Sequence, residues 1–407
     1  MQATQEPNKQ ASFYTLLLLS LGYFIDFYDL SIMGVSYNEM IPQLFHITDN
    51  IKIQQTYLLI SNFQTVGIFI GAITFGILGD KIGRITTIKY SILLYSLSTI
   101  AAIFTHSLPV FLALRLLAYV GLSCEFSTST VVILESMPNK LASWGSSMLY
   151  ICGVLGGILA TGISFVSWKW MFIFGGVAGL VLLVFRIRMQ ESLAFLYLQQ
   201  QTTSAKRGNI QQLFNSPQNI WKIIKYLFLI LPFYVVITAM FIFPSYIVAP
   251  DKIAYATKLL LMGFFIGNII SSILSAIINN WLKSYLPLLW ISIVLFVTSM
   301  LLFDKIPSNY LFIYSLLLGI ICGGYPISWA QQVSLDYPIE NRSTASNLLF
   351  ALGRGSGIVF NILMSIALGV THGFNQYIWW VTIITTLLAI VAICYVKNTY
   401  TVDIVKE

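Results

Sequence analysis

The sequence predicts an all-α membrane protein in which twelve transmembrane helices form two pseudo-symmetric six-helix bundles. Hydrophobic residues make up 57% of the 407 residues and charged residues only 9%, whereas soluble domains contain about 25% charged residues. The apolar residues form runs of about 20 residues, which is the length of a helix that crosses a bilayer. In addition, short motifs of the first half recur in the second half.

Twelve apolar runs are long enough to cross the membrane. Transmembrane strands would show alternating segments of about ten residues, so these continuous runs favour helices. The predicted spans, numbered one to twelve, cover residues 12–36, 55–78, 86–105, 107–133, 144–166, 168–188, 222–247, 255–278, 284–303, 308–333, 343–369 and 375–396.

The basic residues predict which side of the membrane each loop faces. With the amino terminus inside, the cytoplasmic segments hold fifteen of the 22 Lys and Arg residues, Arg186 among them, and the outer loops hold five. This bias follows the positive-inside rule and predicts that both termini are cytoplasmic. Membrane orientation thus explains the net charge of +7, and we expect no nucleic-acid partner.

A polar stretch divides the spans six and six. We predict an N-terminal bundle over residues 1–188, a cytoplasmic linker over 189–221, and a C-terminal bundle with a short tail over 222–407. Span two contains GIFIGAI from Gly67, and span eight contains GFFIGNI from Gly263, 196 residues later. Glycines four residues apart let helices approach closely. Such internal symmetry is typical of two-bundle transporters.

The turn after span two contains the sequence GILGDKIGR at residues 76–84. It resembles the signature G-x-L-x-D-[RK]-x-G-R of the major facilitator superfamily. This resemblance covers nearly the whole chain and implies the twelve-helix major facilitator fold. The glycines permit a tight turn, and Asp80 and Arg84 can make charge-assisted contacts that lock or release one conformation. The alternative is a solvated, charged turn.

Two further acids end corresponding spans, because Glu135 precedes a proline after span four and Asp336 precedes a proline after span ten. A basic residue follows each proline. We therefore predict a conformational latch with these members: Gly79, Asp80, Gly83, Arg84, Glu135, Asp336 and Arg342.

Within the superfamily, the chain resembles the metabolite:proton symporters and their phosphate and sialate relatives. Span one contains DFYD at residues 26–29, similar to the acid–x–x–Asp pattern of this group. Span four contains RLLAYVGLSCE at residues 115–125, similar to R-L-L-Q-G-F-x-x-G-G-E, and the exit of span six contains RIRMQES at residues 186–192. Several positions in span four depart from the pattern, so the resemblance does not imply a particular substrate.

Two carboxylates lie deep in span one. Asp26 falls about 13 residues into this run, and Asp29 lies on the same helix face. A carboxylate there must be paired, protonated or hydrated, so it predicts a functional site. The resemblance implies that Asp29 and Arg115 pair as a proton-coupling device. A static ion pair is the alternative, and either aspartate can be the proton site. Glu125 is predicted to relay a proton or to contact a neighbouring helix.

Span eleven contains the best candidate for a substrate ligand. Asn347, Arg354 and Asn361 recur every seven residues and lie on one helix face. An arginine near mid-membrane needs a partner, and an anionic solute group can bind it bidentately; the alternative is a structural pair with an acid such as Glu125. Three other polar residues are candidates to line the cavity or to form interhelical hydrogen bonds: Gln64, Tyr325 and Gln331.

These observations favour a proton-coupled symporter that imports a small organic acid or zwitterion by alternating access. Alternatives are a proton antiporter exporting a drug or metabolite, an importer of polycarboxylate siderophores, and a transporter-like sensor. The sequence contains no GxxxxGK[ST] phosphate loop, nucleophile–base arrangement or metal-ligand spacing. We therefore expect no enzyme activity, cofactor or metal, and a monomer in the cytoplasmic membrane of a bacterium, with lipid, protons and the solute as partners.

Overall fold

The structure is a computed structural model that describes residues 9–163, 166–201, 207–242, 253–302, 305–368 and 373–400. All regular secondary structure in these ranges is helical. The α-helices, numbered in chain order, are α1 Lys9–Phe45, α2 Asn50–Ile82, α3 Arg84–Ala102, α4 Leu108–Leu122, α5 Glu125–Ser136, α6 Asn139–Gly162, α7 Trp168–Arg186, α8 Leu193–Gln201, α9 Pro217–Ile242, α10 Ile253–Leu282, α11 Leu286–Leu302, α12 Leu311–Cys322, α13 Gly324–Asp336, α14 Arg342–Leu368 and α15 Gly373–Cys394.

In the ranges that the structure describes, every predicted span is mainly helical, which confirms the all-α membrane class; residues 164–165, 243–247, 303 and 369 of the predicted spans lie outside those ranges. Ten helical stretches of the described chain are long and apolar enough to cross a membrane, and α11 is a shorter apolar helix. Spans four and ten each consist of two helices, α4 with α5 and α12 with α13. Predicted span eleven corresponds to α14. Several helices extend beyond the predicted spans; α1, for example, continues to Phe45.

The chain separates into two compact units. Unit 1 comprises Met1–Ile210 and Tyr337–Ala351, and unit 2 comprises Gln211–Asp336 and Leu352–Glu407. The helix α14 therefore begins in unit 1 and continues into unit 2. The linker predicted over 189–221 contains a helix that the sequence did not predict, α8. The domain boundaries themselves remain predictions.

The two units repeat the same helix pairs. In unit 1, α1 and α3 both pack on α7, and α2 packs on α4. In unit 2, α9 and α11 both pack on α15, and α10 packs on α12. The internal repeat seen in the sequence is therefore a repeat of helix packing.

Glycines set the closeness of one repeated pair. A Cβ atom on Gly71 of α2 would lie 2.1 Å from the carbonyl oxygen of Val120, and one on Gly267 of α10 would lie 2.1 Å from that of Leu316. Both residues of the second contact lie 196 positions after those of the first. Each half of the sequence contains a pair of glycines four residues apart, and these pairs predicted a close helix contact in both units. Only a residue without a side chain lets the two helices come so near to each other.

The core of unit 1 is divided between apolar and polar regions. An apolar cluster includes the buried residues Ile32, Met40, Phe111 and Trp168. The rest of the interior contains most of the buried charged side chains of the described chain, and these define the candidate site.

We predict that Gly71→Ala and Gly267→Ala each destabilise the protein by about 1–3 kcal/mol, because the added methyl group meets a backbone oxygen that cannot move alone. The readout is the apparent Tm of the purified protein in detergent. Gly162→Ala is the matched control, since a Cβ there meets nothing within 4 Å. Equal Tm values for all three variants would show that the glycines do not determine the helix spacing.

Candidate functional site

An interior acid cluster in unit 1 consists of three carboxylates and two guanidinium groups: Asp26, Asp29, Arg115, Glu125 and Arg186. All five side chains are buried, with at most 1% of each residue exposed. They lie on four membrane helices, with the aspartates on α1, Arg115 on α4, Glu125 on α5 and Arg186 on α7.

The closest charged contact joins Glu125 and Arg186. Nη2 of Arg186 lies 2.6 Å from Oε1 of Glu125, and Nη1 donates to Oε2 at 3.1 Å, so the pair is bidentate. The same guanidinium donates to the backbone carbonyl of Leu18 on α1, at 2.7 Å from Nη2. Arg186 therefore connects three helices. The sequence counted it among the basic residues of the cytoplasmic segments, and the structure buries its side chain at the end of α7.

Gly22 leaves the space in which this pair forms. A Cβ atom on Gly22 would lie 1.8 Å from Nη2 of Arg186 and 2.3 Å from Oε1 of Glu125. Any side chain at this position would displace the ion pair. Because Gly22 precedes Asp26 by one helical turn, the pair also fixes the part of α1 that contains the aspartate.

Asp29 does not form the direct ion pair with Arg115 that the resemblance implies. Its Oδ2 accepts a hydrogen bond from Thr99 of α3 at 2.9 Å. Within the described residues, the ion pairs of 4.0 Å or less in unit 1 join other groups. The charge of Arg115 nevertheless acts on Asp29, so the two side chains are coupled electrostatically without a direct ion pair.

Arg115 is held by neutral groups. Its guanidinium lies 5.2 Å from the ring centroids of Tyr119 and Phe172. With its amide oxygen oriented toward Arg115, Gln64 of α2 accepts hydrogen bonds from Nε and Nη2 at 3.1 and 3.3 Å. Gln64, which we predicted as a cavity-lining residue, is therefore a partner of Arg115.

The interior acid cluster contains one more carboxylate than guanidinium groups. A buried charge is stable only when it is paired, hydrated or neutralised by a proton. Glu125 and Arg186 neutralise each other, and Arg115 can balance one aspartate. The other aspartate is the group that this arrangement favours for proton binding.

A second group, the four-charge cluster, consists of Asp80, Arg84, Glu135 and Arg342, all buried in unit 1. Arg84 Nη2 lies 3.2 Å from Asp80 and 3.2 Å from Glu135. Arg342 reaches the same Glu135 oxygen at 3.5 Å. Two acids and two bases thus alternate in one network, and four of the residues predicted for the latch lie together.

Asp80 also caps a helix. Its oxygens accept hydrogen bonds from the backbone N–H groups of Ser343 and Thr344 at 3.1 and 2.7 Å, and from the Thr344 hydroxyl at 2.7 Å. These N–H groups belong to the first turn of α14, where a negative charge is favourable. Gly79 permits the approach, because its Cβ atom would lie 2.5 Å from Oγ of Ser343.

Gly83 forms the turn between α2 and α3. Its φ of +117° lies in a region that residues with side chains rarely adopt. Glu191, which the sequence motif at the exit of span six contains, accepts from the N–H groups of Ile85 and Thr86 at 3.1 and 2.8 Å. The turn is therefore fixed by a glycine and by a cap from a distant segment.

Asp336, the other acid predicted for the latch, belongs to unit 2. There Lys222 lies 3.4 Å and Lys225 lies 3.9 Å from its carboxylate, and the Tyr226 hydroxyl donates to it at 2.8 Å. Its role in the latch stays a prediction. It is the counterpart of Glu135 in position along the chain, but its partners are lysines of α9.

These geometries fit a family of known proteins. The sequence profile of the Major Facilitator Superfamily matches residues 19–360 of the chain. The chain belongs to the Major Facilitator Superfamily. Its described helices are long and apolar enough to cross a membrane ten times, and the curated proteins that it resembles are transporters, not enzymes.

The curated relatives in this superfamily are transporters of bacteria and mammals. A putative metabolite transport protein of Haemophilus influenzae is 26% identical over 208 residues, which are 50% of this chain and 49% of that protein. The niacin transporter NiaP of Acinetobacter baylyi is 25% identical over 45% of this chain and 42% of its own length. The benzoate transport protein of Acinetobacter baylyi is 26% identical over 44% of this chain and 40% of its own length. The match thus spans about half the length of these relatives or less.

Solved structures of the superfamily have the same fold. The proton:xylose symporter XylE bound to 6-bromo-6-deoxy-D-glucose aligns with a TM-score of 0.78 over 96% of this chain and 97% of that one, at 14% sequence identity. A partially occluded, inward-open conformation of XylE from E. coli aligns with a TM-score of 0.64, at 16% sequence identity. The alignment covers 97% of this chain and 100% of that one. At such identity the likeness shows the Major Facilitator Superfamily fold alone.

The predicted substrate ligand Asn347 has its hydrogen bonds satisfied inside unit 1. Its side-chain oxygen accepts from Ser127 at 2.8 Å, and its nitrogen donates to the hydroxyl of Thr128 at 3.0 Å and to the carbonyl of Ser343 at 2.9 Å. A solute would have to displace these bonds. Its role as a ligand stays a prediction.

The other predicted ligands of this Major Facilitator Superfamily transporter belong to unit 2. Arg354 is half-buried, and its guanidinium lies near the hydroxyl of Tyr234. Tyr325 is buried and donates to a backbone carbonyl of α9, and Gln331 is buried in the same unit. Asn361 lies in α14, but its side chain falls outside the described residues. The structure does not test these roles.

Sequence reasoning missed Arg186, although a signal was present. Arg186 follows Gly175 by 11 residues and Gly179 by seven, and these spacings place all three on one face of α7. Arg188, two residues later, is exposed. A basic residue in register with two glycines of an apolar helix faces the packed side of that helix, whereas the positive-inside count treats both arginines alike.

We predict that Arg186→Met lowers the stability by about 3–5 kcal/mol, because it leaves the Glu125 carboxylate buried and unpaired. The double variant Glu125→Met/Arg186→Met should recover most of this loss, since no uncompensated charge remains. Thermal unfolding of the purified protein measures both. Arg188→Met is the control and should have little effect. If the double variant is no more stable than Arg186→Met, the two residues do not act as a pair.

Proposed function

We propose that this transporter is a proton-coupled symporter that imports a small organic acid or zwitterion by alternating access. The observation that supports it most strongly is the interior acid cluster, in which three buried carboxylates share two guanidinium groups. Two buried aspartates on one helix face, with Thr99 and Arg115 as neighbours, form a site that can alternate between a charged and a neutral state.

The proton chemistry of this proposal follows from desolvation. Burial away from water favours the neutral, protonated form of an aspartate side chain, whereas a nearby guanidinium group favours the ionised carboxylate. A movement of α4 relative to α1 changes the distance between Arg115 and Asp29 and so changes which form is favoured. Proton binding is then linked to the conformation of the protein, and the solute and the proton move in the same cycle.

Arg354 is the proposed anchor for the solute. A guanidinium binds a carboxylate through two parallel hydrogen bonds. The names of two relatives refer to niacin and benzoate, each of which has one carboxylate on an aromatic ring. We therefore propose a small monocarboxylate, with nicotinate and benzoate as the first compounds to test.

The four-charge cluster is proposed as the latch of the transport cycle. Asp80 holds the first turn of α14, and α14 also contains Arg354. Release of these hydrogen bonds would free the helix that binds the solute. On the positive-inside pattern, the cluster and both termini lie on the cytoplasmic side of a bacterial inner membrane, and we propose a monomer as the working unit.

The first functional prediction concerns the aspartates. In proteoliposomes with an inward proton gradient, radiolabelled nicotinate or benzoate should accumulate in the wild type. Asp26→Asn or Asp29→Asn should abolish accumulation, because a neutral amide cannot release a proton, while solute exchange without a gradient should persist in at least one of them. Glu39→Gln, an exposed position on the same helix, is the control. Accumulation that survives in both aspartate variants would exclude this coupling.

A separate prediction concerns Arg354. Arg354→Lys keeps the charge but loses the planar pair of donors, so the affinity for the accepted carboxylate should fall by about 10- to 100-fold. Binding is measured by ligand-induced thermal shift or calorimetry on purified protein, over a panel of organic acids, amino acids and betaines. Arg188→Lys, at an exposed position, should bind as the wild type does. Unchanged affinity in Arg354→Lys would remove this residue from the site.

A further inference from the structure

A line of polar groups lies between α1, α3 and α7 in unit 1. On α1, Gly22, Asp26 and Asp29 are four and three residues apart and so lie on one face. Gly22 contacts the Glu125–Arg186 pair, and Asp29 contacts Thr99. From Gly22 to Asp29 the helix rises by about 10 Å.

Gly175 and Gly179 lie on one face of α7, here called the glycine face, and this face packs against the line of polar groups. A Cβ atom on Gly175 would lie 3.5 Å from Oδ1 of Asp29. One on Gly179 would lie 2.2 Å from Oγ of Ser96 and 2.9 Å from the hydroxyl oxygen of Tyr95. Gly179 therefore lets the oxygens of Ser96 and Tyr95 pack directly against α7, Oδ1 of Asp29 lies beside Gly175, and Arg186 follows on the same face.

Two hydroxyl groups on α3, those of Tyr95 and Ser96, are buried. Tyr95 is 1% exposed and Ser96 is fully buried. Within the described residues, neither hydroxyl oxygen, nor Oδ1 of Asp29, has a hydrogen-bond partner. The charged groups that act on the Tyr95 hydroxyl are Asp26, Glu125, Arg186 and Asp29. Buried polar atoms of this kind are normally satisfied by water.

Another hydroxyl nearby is already engaged. Tyr28, next to Asp29 on α1, donates its proton to the carbonyl of Met171 at 3.1 Å. It therefore cannot pass a proton without breaking that bond. Tyr95 and Ser96 have hydroxyl protons that are not committed in this way.

We propose that Tyr95 and Ser96 form a relay that carries a proton between Asp29 and Asp26 through water bound to their hydroxyl groups. The inference depends on the proposed proton coupling and adds the route that the proton takes. The protonated carboxyl group of Asp29 gives its proton to a water molecule at Ser96, and the chain of hydroxyl groups passes one proton on. The Asp26 carboxylate receives a proton, and each hydroxyl group ends with one proton, as it began.

The relay has a direct consequence for the two carboxyl groups. Because they exchange protons through a common path, a single route to solvent from one of them serves both. In the wild type, Asp26 and Asp29 should therefore exchange protons for deuterons at one shared rate, even though both are buried.

The test is infrared spectroscopy of the full-length protein in liposomes, and it needs no solute. The C=O bands of protonated carboxyl groups are followed at a pH at which both aspartates are protonated, and Asp26→Asn and Asp29→Asn assign the bands. After transfer to D2O, the two bands should shift at one rate in the wild type. In Tyr95→Phe/Ser96→Ala, one band should shift at least about 10-fold more slowly than the other.

The control is Tyr285→Phe, which removes a buried hydroxyl that also lacks a partner among the described residues but belongs to unit 2. It should leave both rates unchanged. A shared rate that persists in Tyr95→Phe/Ser96→Ala overturns the relay and leaves the proton coupling intact. If no carboxyl band depends on either aspartate at any pH at which the protein is folded, the proton coupling itself is wrong, and the relay with it.

Discussion

The cost of burying charge in a membrane protein is the constraint on which the rest of unit 1 depends. A carboxylate or guanidinium removed from water costs several kcal/mol unless a partner compensates it. The bidentate contact of Arg186 with Glu125, at 2.6 Å, provides such compensation, and the four-charge cluster provides it again at the start of α14. Besides these two balanced networks, unit 1 buries Asp26, Asp29 and Arg115, and Gln64 and two aromatic rings hold Arg115 without a direct ion pair to Asp29. That imbalance is what a site of reversible protonation requires.

Glycines make this arrangement possible. Gly22 gives the Arg186 guanidinium access to α1, Gly79 brings Ser343 toward Asp80, and Gly179 lets the Ser96 oxygen of α3 pack against α7. In each of these three places a methyl group would meet a polar atom at 2.5 Å or less. The glycines of this chain therefore determine where charged groups can meet, as well as how closely helices pack.

The fold could be predicted from the sequence because its determinants are local: apolar runs of membrane length, glycines four residues apart, and one charged turn motif. The cluster of Asp80, Arg84, Glu135 and Arg342 followed from the same motif and from acids at corresponding helix ends. Individual partners could not be predicted in this way. Glu125 pairs with Arg186 rather than Arg354, and Asp336 pairs with lysines, because such contacts depend on how helices rotate about their axes. One residue of rotation, about 100°, changes the partner.

The central claim is that the interior acid cluster holds a proton that Asp26 and Asp29 share. The most direct test is a hydrogen-ion titration of the purified protein, in which the curve of the Asp26→Asn/Asp29→Asn variant is subtracted from that of the wild type. With three carboxylates and two guanidinium groups buried together, the difference should be about one bound proton per molecule near neutral pH, released as the pH rises. A difference of zero near neutral pH would mean that both aspartates are ionised, and would contradict the account.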